Sequence, residues 1–165
     1  MTSQSSIQLR PYHSGDAEAV ALLFTETVHS VNARDYPPEQ LAAWAPQPYD
    51  LAHWRERLER TQPLIAQRGV QVVGFGELAA NGHIDCFYVH KDHQGSGVGR
   101  ALLGEILRRA QAAGLARLYT EASLTAIPFF KQHGFRPIAT QQVALRGQWL
   151  TNMRMEQDLA EVNQP

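Results

Sequence analysis

Three glycines stand at positions 95, 97 and 99, between a predicted strand and a predicted helix. Glycine lets the backbone adopt positive φ angles and lets a ligand approach the chain closely. A helix that begins near Val98 directs its unpaired amides and its dipole toward the same loop. Together these features predict a cradle for a phosphate group. A glycine-rich turn that only caps the helix is the alternative interpretation.

This loop differs from the two best-known nucleotide-binding patterns. No Gly-Lys-Ser/Thr follows it, so the loop is not a P-loop. Its glycine spacing does not match the dinucleotide fingerprint, and the N-terminal βαβ unit that accompanies that fingerprint is missing. An enzyme that uses the loop for ATP or NAD is still an alternative, which competition binding against coenzyme A would decide.

Two titratable side chains alternate on the predicted strand before the loop. His83 and Asp85 are expected to share a face with Phe87, because strand side chains alternate. Histidine is a residue type that suits a general base, so His83 is a candidate for that role, and Asp85 could orient a water or bind an ammonium group. Glu77 on the preceding strand is a third candidate, whereas Cys86 faces the other way and is interpreted as a core residue. His83 could also be merely exposed beyond the Asn-Gly turn.

A group of polar and aromatic residues follows the first predicted helix. His29, Asn32, Asp35 and Tyr36 lead into a proline-rich loop, with Trp44 close behind. An aromatic and acidic lining would suit a cationic amine, so His29, Asp35 and Tyr36 are candidate substrate-binding residues. A helix end beside ordinary core aromatics is an equally good interpretation.

Length and charge exclude several classes of function. A chain of 165 residues predicts one domain over 1–165, with its core at about 5–159. The formal net charge is -1 and no basic cluster is present, which argues against nucleic acid and against a polybasic membrane contact. No apolar run reaches about 18 residues, the 7 histidines lack zinc spacing, and the single cysteine permits no internal disulfide. We therefore expect a cytoplasmic protein without a metal.

The periodicity predicts an α/β fold. Hairpins mixed with crossover helices indicate a mixed, mostly antiparallel central sheet of about six to seven strands, flanked by about four helices. The strands are predicted at 7–10, 63–66, 70–78, 83–89, 117–122, 137–145 and 148–157. The helical segments are predicted from Asp16, which is the expected N-cap, and at 39–45, from Asp50, at 98–113 and at 125–133.

Two regions of the chain resemble those of one known family. Segment 89–103, which holds Gln94, Gly97 and Gly99 at the family's spacing, is similar to the acetyl-CoA loop of the GNAT superfamily of N-acetyltransferases. Segments 121–123 and 126–135 resemble that family's second cofactor region. The resemblance runs from about 70 to 159 and implies the GNAT fold with acetyl-CoA or CoA as the cofactor.

The resemblance also implies which residues hold the cofactor. The strand residues Phe87, Tyr88 and Val89 would pair with the pantetheine arm, Ser123 would face that arm, and Phe130 would lie near the thiol. The pyrophosphate would be held by the loop residues Gln94, Gly95, Ser96, Gly97, Val98, Gly99 and Arg100.

The implied activity is acetyl transfer to a primary amine of a small molecule or peptide, by direct attack in a ternary complex. The Val89 amide would polarise the thioester carbonyl, and Asp85, His83 and Tyr88 are the candidate catalytic residues. Many family members have a tyrosine where this chain has Phe130. Either another group donates the proton to the thiolate, with Tyr88 and Tyr36 as substitutes by residue type, or the thiolate takes the proton from solvent. A non-catalytic acetyl-CoA-binding sensor is therefore an alternative. A homodimer also fits the resemblance.

Overall fold

The computed structural model describes residues 6–159, which contain one mixed sheet of seven strands. The ends of the predicted domain, 1–5 and 160–165, lie outside the described residues. The spatial order is β1-β2-β3-β4-β5-β7-β6, and every neighbouring pair is antiparallel except β4 and β5. The predicted sheet is confirmed. The strands are β1 (Ile7–Pro11), β2 (Leu64–Arg68), β3 (Gln71–Leu78), β4 (His83–Val89), β5 (Arg117–Ser123), β6 (Arg136–Leu145) and β7 (Gln148–Asp158).

Five α-helices lie in the same part of the chain, one at each of the five predicted helical segments. They are α1 (Ala17–Ser30), α2 (Pro38–Trp44), α3 (Leu51–Thr61), α4 (Val98–Ala112) and α5 (Ile127–Gln132). α2 and α5 have only 7 and 6 residues. Within residues 6–159, no helix combines the length and apolar character that crossing a membrane requires.

The two predicted helix caps have different outcomes. Asp50 caps α3 as expected, since its carboxylate accepts from the His53 amide at 3.1 Å. Asp16 precedes α1, but its carboxylate makes no cap bond to that helix. It accepts instead from the Arg10 guanidinium at 2.8 Å and from the His13 amide at 2.8 Å. The hydrogen bonds from Arg10 hold the pKa of Asp16 below its ordinary value, so the carboxylate fastens β1 to the start of α1.

The sheet separates two hydrophobic cores. The first contains residues of α1, α2 and α3, including Val28, Trp54 and Leu58, and packs on Phe75 of the sheet. The second contains residues of α4 and α5, such as Leu102, together with residues of β2, β4, β5 and β7. Helices therefore cover both faces of the sheet, and each core fixes one set of helix positions relative to β4.

A β-bulge in β4 corrects the predicted facing of its side chains. Gly76 pairs with Phe87 and Leu78 pairs with Ile84, so Asp85 and Cys86 together lie opposite one residue of β3. An extra residue shifts the alternation and turns the later side chains to the other face. His83 and Asp85 consequently do not share a face with Phe87, which packs in the α4 core. Cys86 packs with the α1 core, on the side away from Phe87 as predicted.

β4 and β5 separate soon after they meet. The two parallel strands pair at His83–Tyr119 and Ile84–Thr120, and the Thr120 hydroxyl donates to the Ile84 carbonyl at 2.8 Å. Beyond these pairs the strands are not paired with each other, although β4 continues to Val89 and β5 to Ser123. The sheet therefore opens at its centre, and this opening places the candidate site.

Candidate active site

The glycine loop leads directly into the N-terminus of α4. Gly97 is the N-cap residue and has a φ of 92°, a conformation that glycine adopts without a steric penalty. The first helical hydrogen bond runs from the Ala101 amide to the Gly97 carbonyl at 3.0 Å. The amides of Val98, Gly99 and Arg100 thus precede the helical ladder and are free to bind an anion.

Arg68 at the end of β2 stabilises this loop by hydrogen bonds. Its guanidinium donates to the Ser96 hydroxyl at 2.9 Å and to the Ser96 carbonyl at 2.8 Å. It also approaches His93 Nδ1 at 3.0 Å, and this nitrogen must accept because arginine only donates. His93 Nε2 then donates to Gln71 at 3.2 Å. Burial, assisted by His90 and Arg68, lowers the pKa of His93 and keeps the ring neutral.

Replacing Arg68 with methionine should weaken coenzyme A binding about tenfold, which corresponds to about 1.4 kcal/mol. The substitution keeps the aliphatic stem but removes three charge-assisted bonds that order the loop before the ligand arrives. Calorimetric titration with coenzyme A measures the effect. Arg60→Met on the exposed side of α3 is the control, and equal affinities for the two variants would contradict the stabilising role of Arg68.

A groove of about 650 Å³ runs from the glycine loop into the opening between β4 and β5. Its polar end has the amides of α4, and its other end has the aromatic rings of α5. This is a good fit to a ligand with an anionic diphosphate and an extended arm. Ten of the residues predicted for the cofactor line it: Phe87, Tyr88, Val89, Gln94, Gly95, Gly97, Gly99, Arg100, Ser123 and Phe130.

Two other predicted cofactor residues do not line the groove with the rest. The Ser96 hydroxyl is turned to Arg68 and to the His93 carbonyl, so it serves the shape of the loop. Val98 is buried in the α4 core, where a side chain at Gly74 would collide with it. Because the side chains of Ser96 and Val98 are engaged elsewhere, only the backbone amides of these two residues could contact a phosphate.

A second cavity of about 450 Å³ opens on the α1 to α3 side of the sheet. Its wall is aromatic, with Phe24, Tyr36, Trp44, Trp54 and Tyr88, and two carboxylates, Asp85 and Glu121, also line it. The groove and this cavity meet at the opening between the strands. The residues that line both are Phe87, Tyr88, Ser123, Ala126 and Phe130.

Arg57 of α3 binds the side chains of Glu77, Asp85 and Cys86 beside the bulge. One terminal nitrogen lies 2.8 Å from Glu77, 2.8 Å from Asp85 and 3.1 Å from the Cys86 sulfur. Glu77 is buried, while the Asp85 side chain is 54% exposed toward the cavity. Burial, with the nearby Glu77 carboxylate, raises the pKa of Cys86 well above its ordinary value. This thiol is therefore protonated and not nucleophilic.

The predicted substrate residues occupy different environments. Tyr36 lines the cavity, donates to the Thr151 carbonyl at 2.5 Å and accepts from the Leu124 amide at 3.0 Å. The His29 ring bonds to the Ala45 carbonyl at 2.7 Å, and Asp35 accepts from Thr125 at 2.7 Å. Neither His29 nor Asp35 is among the described residues that line the cavity.

Arg57 and Glu121 are among the cavity residues that the sequence analysis did not predict as site residues. Arg57 follows Trp54 by three positions and therefore shares its helix face, which is a signal the sequence does contain. Tyr119, Glu121 and Ser123 are spaced two apart on β5 and therefore share a face. The prediction of Ser123 as a site residue could thus have been extended to Glu121. His83, by contrast, lines neither cavity: its ring is stacked on Tyr119 and bonded to Glu121.

Residues 32–157 match the family model for the acetyltransferase (GNAT) domain. The chain is also 33% identical over 151 residues to YafP, an uncharacterised N-acetyltransferase of Escherichia coli K12, covering 92% of this chain and 95% of YafP. The chain belongs to the GNAT acetyltransferase family. The predicted family and enzyme class are thereby confirmed.

Solved structures agree with this GNAT assignment. A GCN5-related N-acetyltransferase from Rhodopseudomonas palustris, also described as a class-II aminotransferase, superposes with a TM-score of 0.89 at 35% identity, covering 96% of this chain and 99% of the other. PaiA N-acetyltransferase of Thermoplasma acidophilum, in complex with coenzyme A, shares the fold with a TM-score of 0.74 at 19% identity, covering 93% and 99%. The predicted cofactor, acetyl-CoA, is the acetyl donor of this GNAT family.

Proposed function

We propose that this GNAT protein transfers the acetyl group of acetyl-CoA to a primary amine of a small molecule or peptide, by direct attack in a ternary complex. The observation that carries the proposal is the junction of two cavities at the opening between β4 and β5. One cavity suits the donor and the other is lined by carboxylates and aromatic rings. Both substrates can therefore be present together, and no covalent enzyme intermediate is required.

The backbone of β4 can polarise the thioester carbonyl. The His90 amide donates toward β3, to the Val73 carbonyl at 2.8 Å. Because successive amides of a strand point to opposite sides, the Val89 amide points into the opening. A fixed N–H at this position would stabilise the oxygen that becomes negative when the amine attacks.

Tyr88 is the proposed proton donor to the departing thiolate. It is the tyrosine that lines both cavities, whereas Phe130, at the family's usual tyrosine position, has no proton to give. Burial raises the pKa of Tyr88 well above its ordinary value, so the hydroxyl keeps its proton until the thiolate forms. Phe24 and Phe75 pack against the ring at centroid distances of 4.9 and 5.8 Å and fix its direction.

The cavity lining favours an acceptor with an apolar or aromatic body. Trp44 packs against Tyr36 and near Tyr88, and Trp54 packs against Phe24 at 4.8 Å, which gives a continuous aromatic wall. The carboxylates of Asp85 and Glu121 lie beside this wall and would attract the ammonium form of the amine. A cationic amine with a hydrophobic body satisfies both surfaces.

Release of free coenzyme A with a panel of primary amines tests the proposed function. We expect turnover with aryl-alkyl amines, an acetylated product by mass spectrometry, and reduced turnover for Asp85→Asn. Binding of acetyl-CoA without thiol release for any amine would contradict acetyl transfer and would favour a sensor.

Replacing Tyr88 with phenylalanine should lower kcat about 10- to 100-fold without changing the affinity for acetyl-CoA, because general acid catalysis contributes on this scale. Phe130→Tyr added to this variant should restore part of the lost rate, since it returns a hydroxyl to the junction. Tyr49→Phe, which changes a partly buried tyrosine outside both cavities, is the matched control. An unchanged kcat for Tyr88→Phe would show that the thiolate takes its proton elsewhere.

A further inference from the structure

Glu121 is the carboxylate of β5 that lines the acceptor cavity. Its side chain is 31% exposed, and one oxygen, Oε2, lies 2.5 Å from His83 Nε2. One carboxylate oxygen is therefore bound by the histidine, and within residues 6–159 the other oxygen makes no side-chain hydrogen bond. This geometry resembles a catalytic dyad in which the carboxylate, and not the imidazole, faces the substrate.

His83 is held behind Glu121 by contacts on several sides. Its ring stacks on Tyr119, with centroids 4.6 Å apart and planes inclined by 7°. Its amide donates to the Asn81 side chain at 3.1 Å, and Asn81 also donates to the Tyr119 hydroxyl at 3.0 Å. A ring fixed in this way can orient a carboxylate, in the manner of the partner groups that orient catalytic side chains.

The charges around Glu121 differ from those around Asp85. Asp85 and the buried Glu77 share the guanidinium of Arg57, so the Asp85 carboxylate is already engaged in an ion pair. Arg154 lies opposite Glu121 in the register of β7, but its guanidinium sits over the Tyr119 ring and bonds to Glu156. Within residues 6–159, Glu121 makes no ion pair with an arginine or lysine.

We propose that Glu121 binds the ammonium group of the acceptor and removes its proton, and that His83 is a positioning residue that holds Glu121 for this step. The proposal rests on the acetyl-transfer function. One N–H proton of the ammonium passes to the carboxylate, directly or through one water, and the nitrogen lone pair becomes free to attack the thioester carbon. The carbon–sulfur bond then breaks and the thiolate takes a proton from its acid.

The first experiment compares Glu121→Gln with the wild-type protein, using an amine that the wild type acetylates. We expect kcat to fall about 100-fold, in the range of general base catalysis. Calorimetry should show weaker binding of the amine to the coenzyme A complex, and unchanged binding of coenzyme A itself. Glu105→Gln, which removes a surface carboxylate on α4, is the matched control and should behave as wild type.

The second experiment separates the positioning role of His83 from a structural one. His83→Gln keeps a hydrogen-bond donor and should retain kcat within about threefold, whereas His83→Phe keeps the stack on Tyr119 but should lose about tenfold. The comparison isolates the hydrogen bond to the Glu121 carboxylate, because glutamine keeps a donor at this position and phenylalanine has none. The other charged groups near this site, Asp85, Arg57, Arg154 and Glu156, are the same in both variants.

The outcomes distinguish this proposal from the proposed function. Wild-type turnover with an unchanged rate for Glu121→Gln would overturn the role of Glu121 and leave acetyl transfer intact. Equal kcat values for His83→Gln and His83→Phe would overturn the role of His83. A wild-type protein that releases no thiol with any amine would overturn both the function and this proposal.

Discussion

Replacing Arg57 with methionine is expected to destabilise the protein by about 3–5 kcal/mol, the usual loss when one partner of a buried ion pair is removed. Glu77 is 3% exposed and relies on Arg57 for its ion pair, with Oε1 at 2.8 Å. Its second oxygen is already buried without a hydrogen-bond partner in the described residues. Methionine retains the packing of the stem but leaves this carboxylate without a countercharge. Urea denaturation measures the free energy of unfolding.

The matched control for this substitution changes both partners. Arg57→Met combined with Glu77→Leu should recover most of the lost stability, because a hydrophobic pair of similar volume avoids the cost of burying charge. If the double variant is as unstable as Arg57→Met alone, the loss comes from packing of α3 and not from the stranded carboxylate.

Replacing Gly82 with alanine is expected to destabilise the protein by about 3–4 kcal/mol, through two separate effects. Gly82 has a φ of +93°, and an L-residue there costs about 1–2 kcal/mol. An added Cβ would also lie 2.3 Å from the Arg117 carbonyl oxygen, so the backbone of β5 would have to move. Thermal and urea denaturation of the purified variant measure the sum of these effects.

Gly114→Ala isolates the conformational effect. Gly114 has a φ of +73°, but an added Cβ would meet no atom within 4 Å. We therefore expect a loss of about 1–2 kcal/mol for this control. Equal losses at the two glycines would mean that the contact between Gly82 and β5 is relaxed at little cost. A larger loss at Gly82 would also be accompanied by a lower kcat, because the same turn sets the start of the opening.

Local sequence signals were sufficient to predict most of the fold. The alternation of apolar residues located all seven strands, and Asn81-Gly82 and Arg146-Gly147 marked hairpin turns that the structure contains. The structure of the glycine loop was predictable for the same reason, since its glycines, its helix start and its preceding strand are contiguous. The family assignment agrees with these predictions.

The acceptor side was less predictable because it is assembled from distant segments. The extra residue in β4 has no local sequence signal, and it moved His83 and Asp85 to the face opposite Phe87. Asp85 is paired with Arg57, which lies on a helix 28 positions earlier in the chain. His83 is paired with Glu121, which lies on a strand 38 positions later. Pattern analysis along one segment cannot detect such pairs, whereas the three-dimensional fold brings them into contact.

The separation of β4 from β5 also has a mechanical consequence. Strands β1 to β4 form one hydrogen-bonded unit and β5 to β7 form another, and two residue pairs, at His83–Tyr119 and Ile84–Thr120, are the ladder that connects them. We expect a narrow ladder of this kind to act as a hinge, supported by the Thr120 hydroxyl, which bonds to the Ile84 carbonyl, and by the packing of Ile84. A ligand arm that bonds to both free strand edges would lock the two units together. Donor affinity and the rigidity of the whole molecule are consequently coupled.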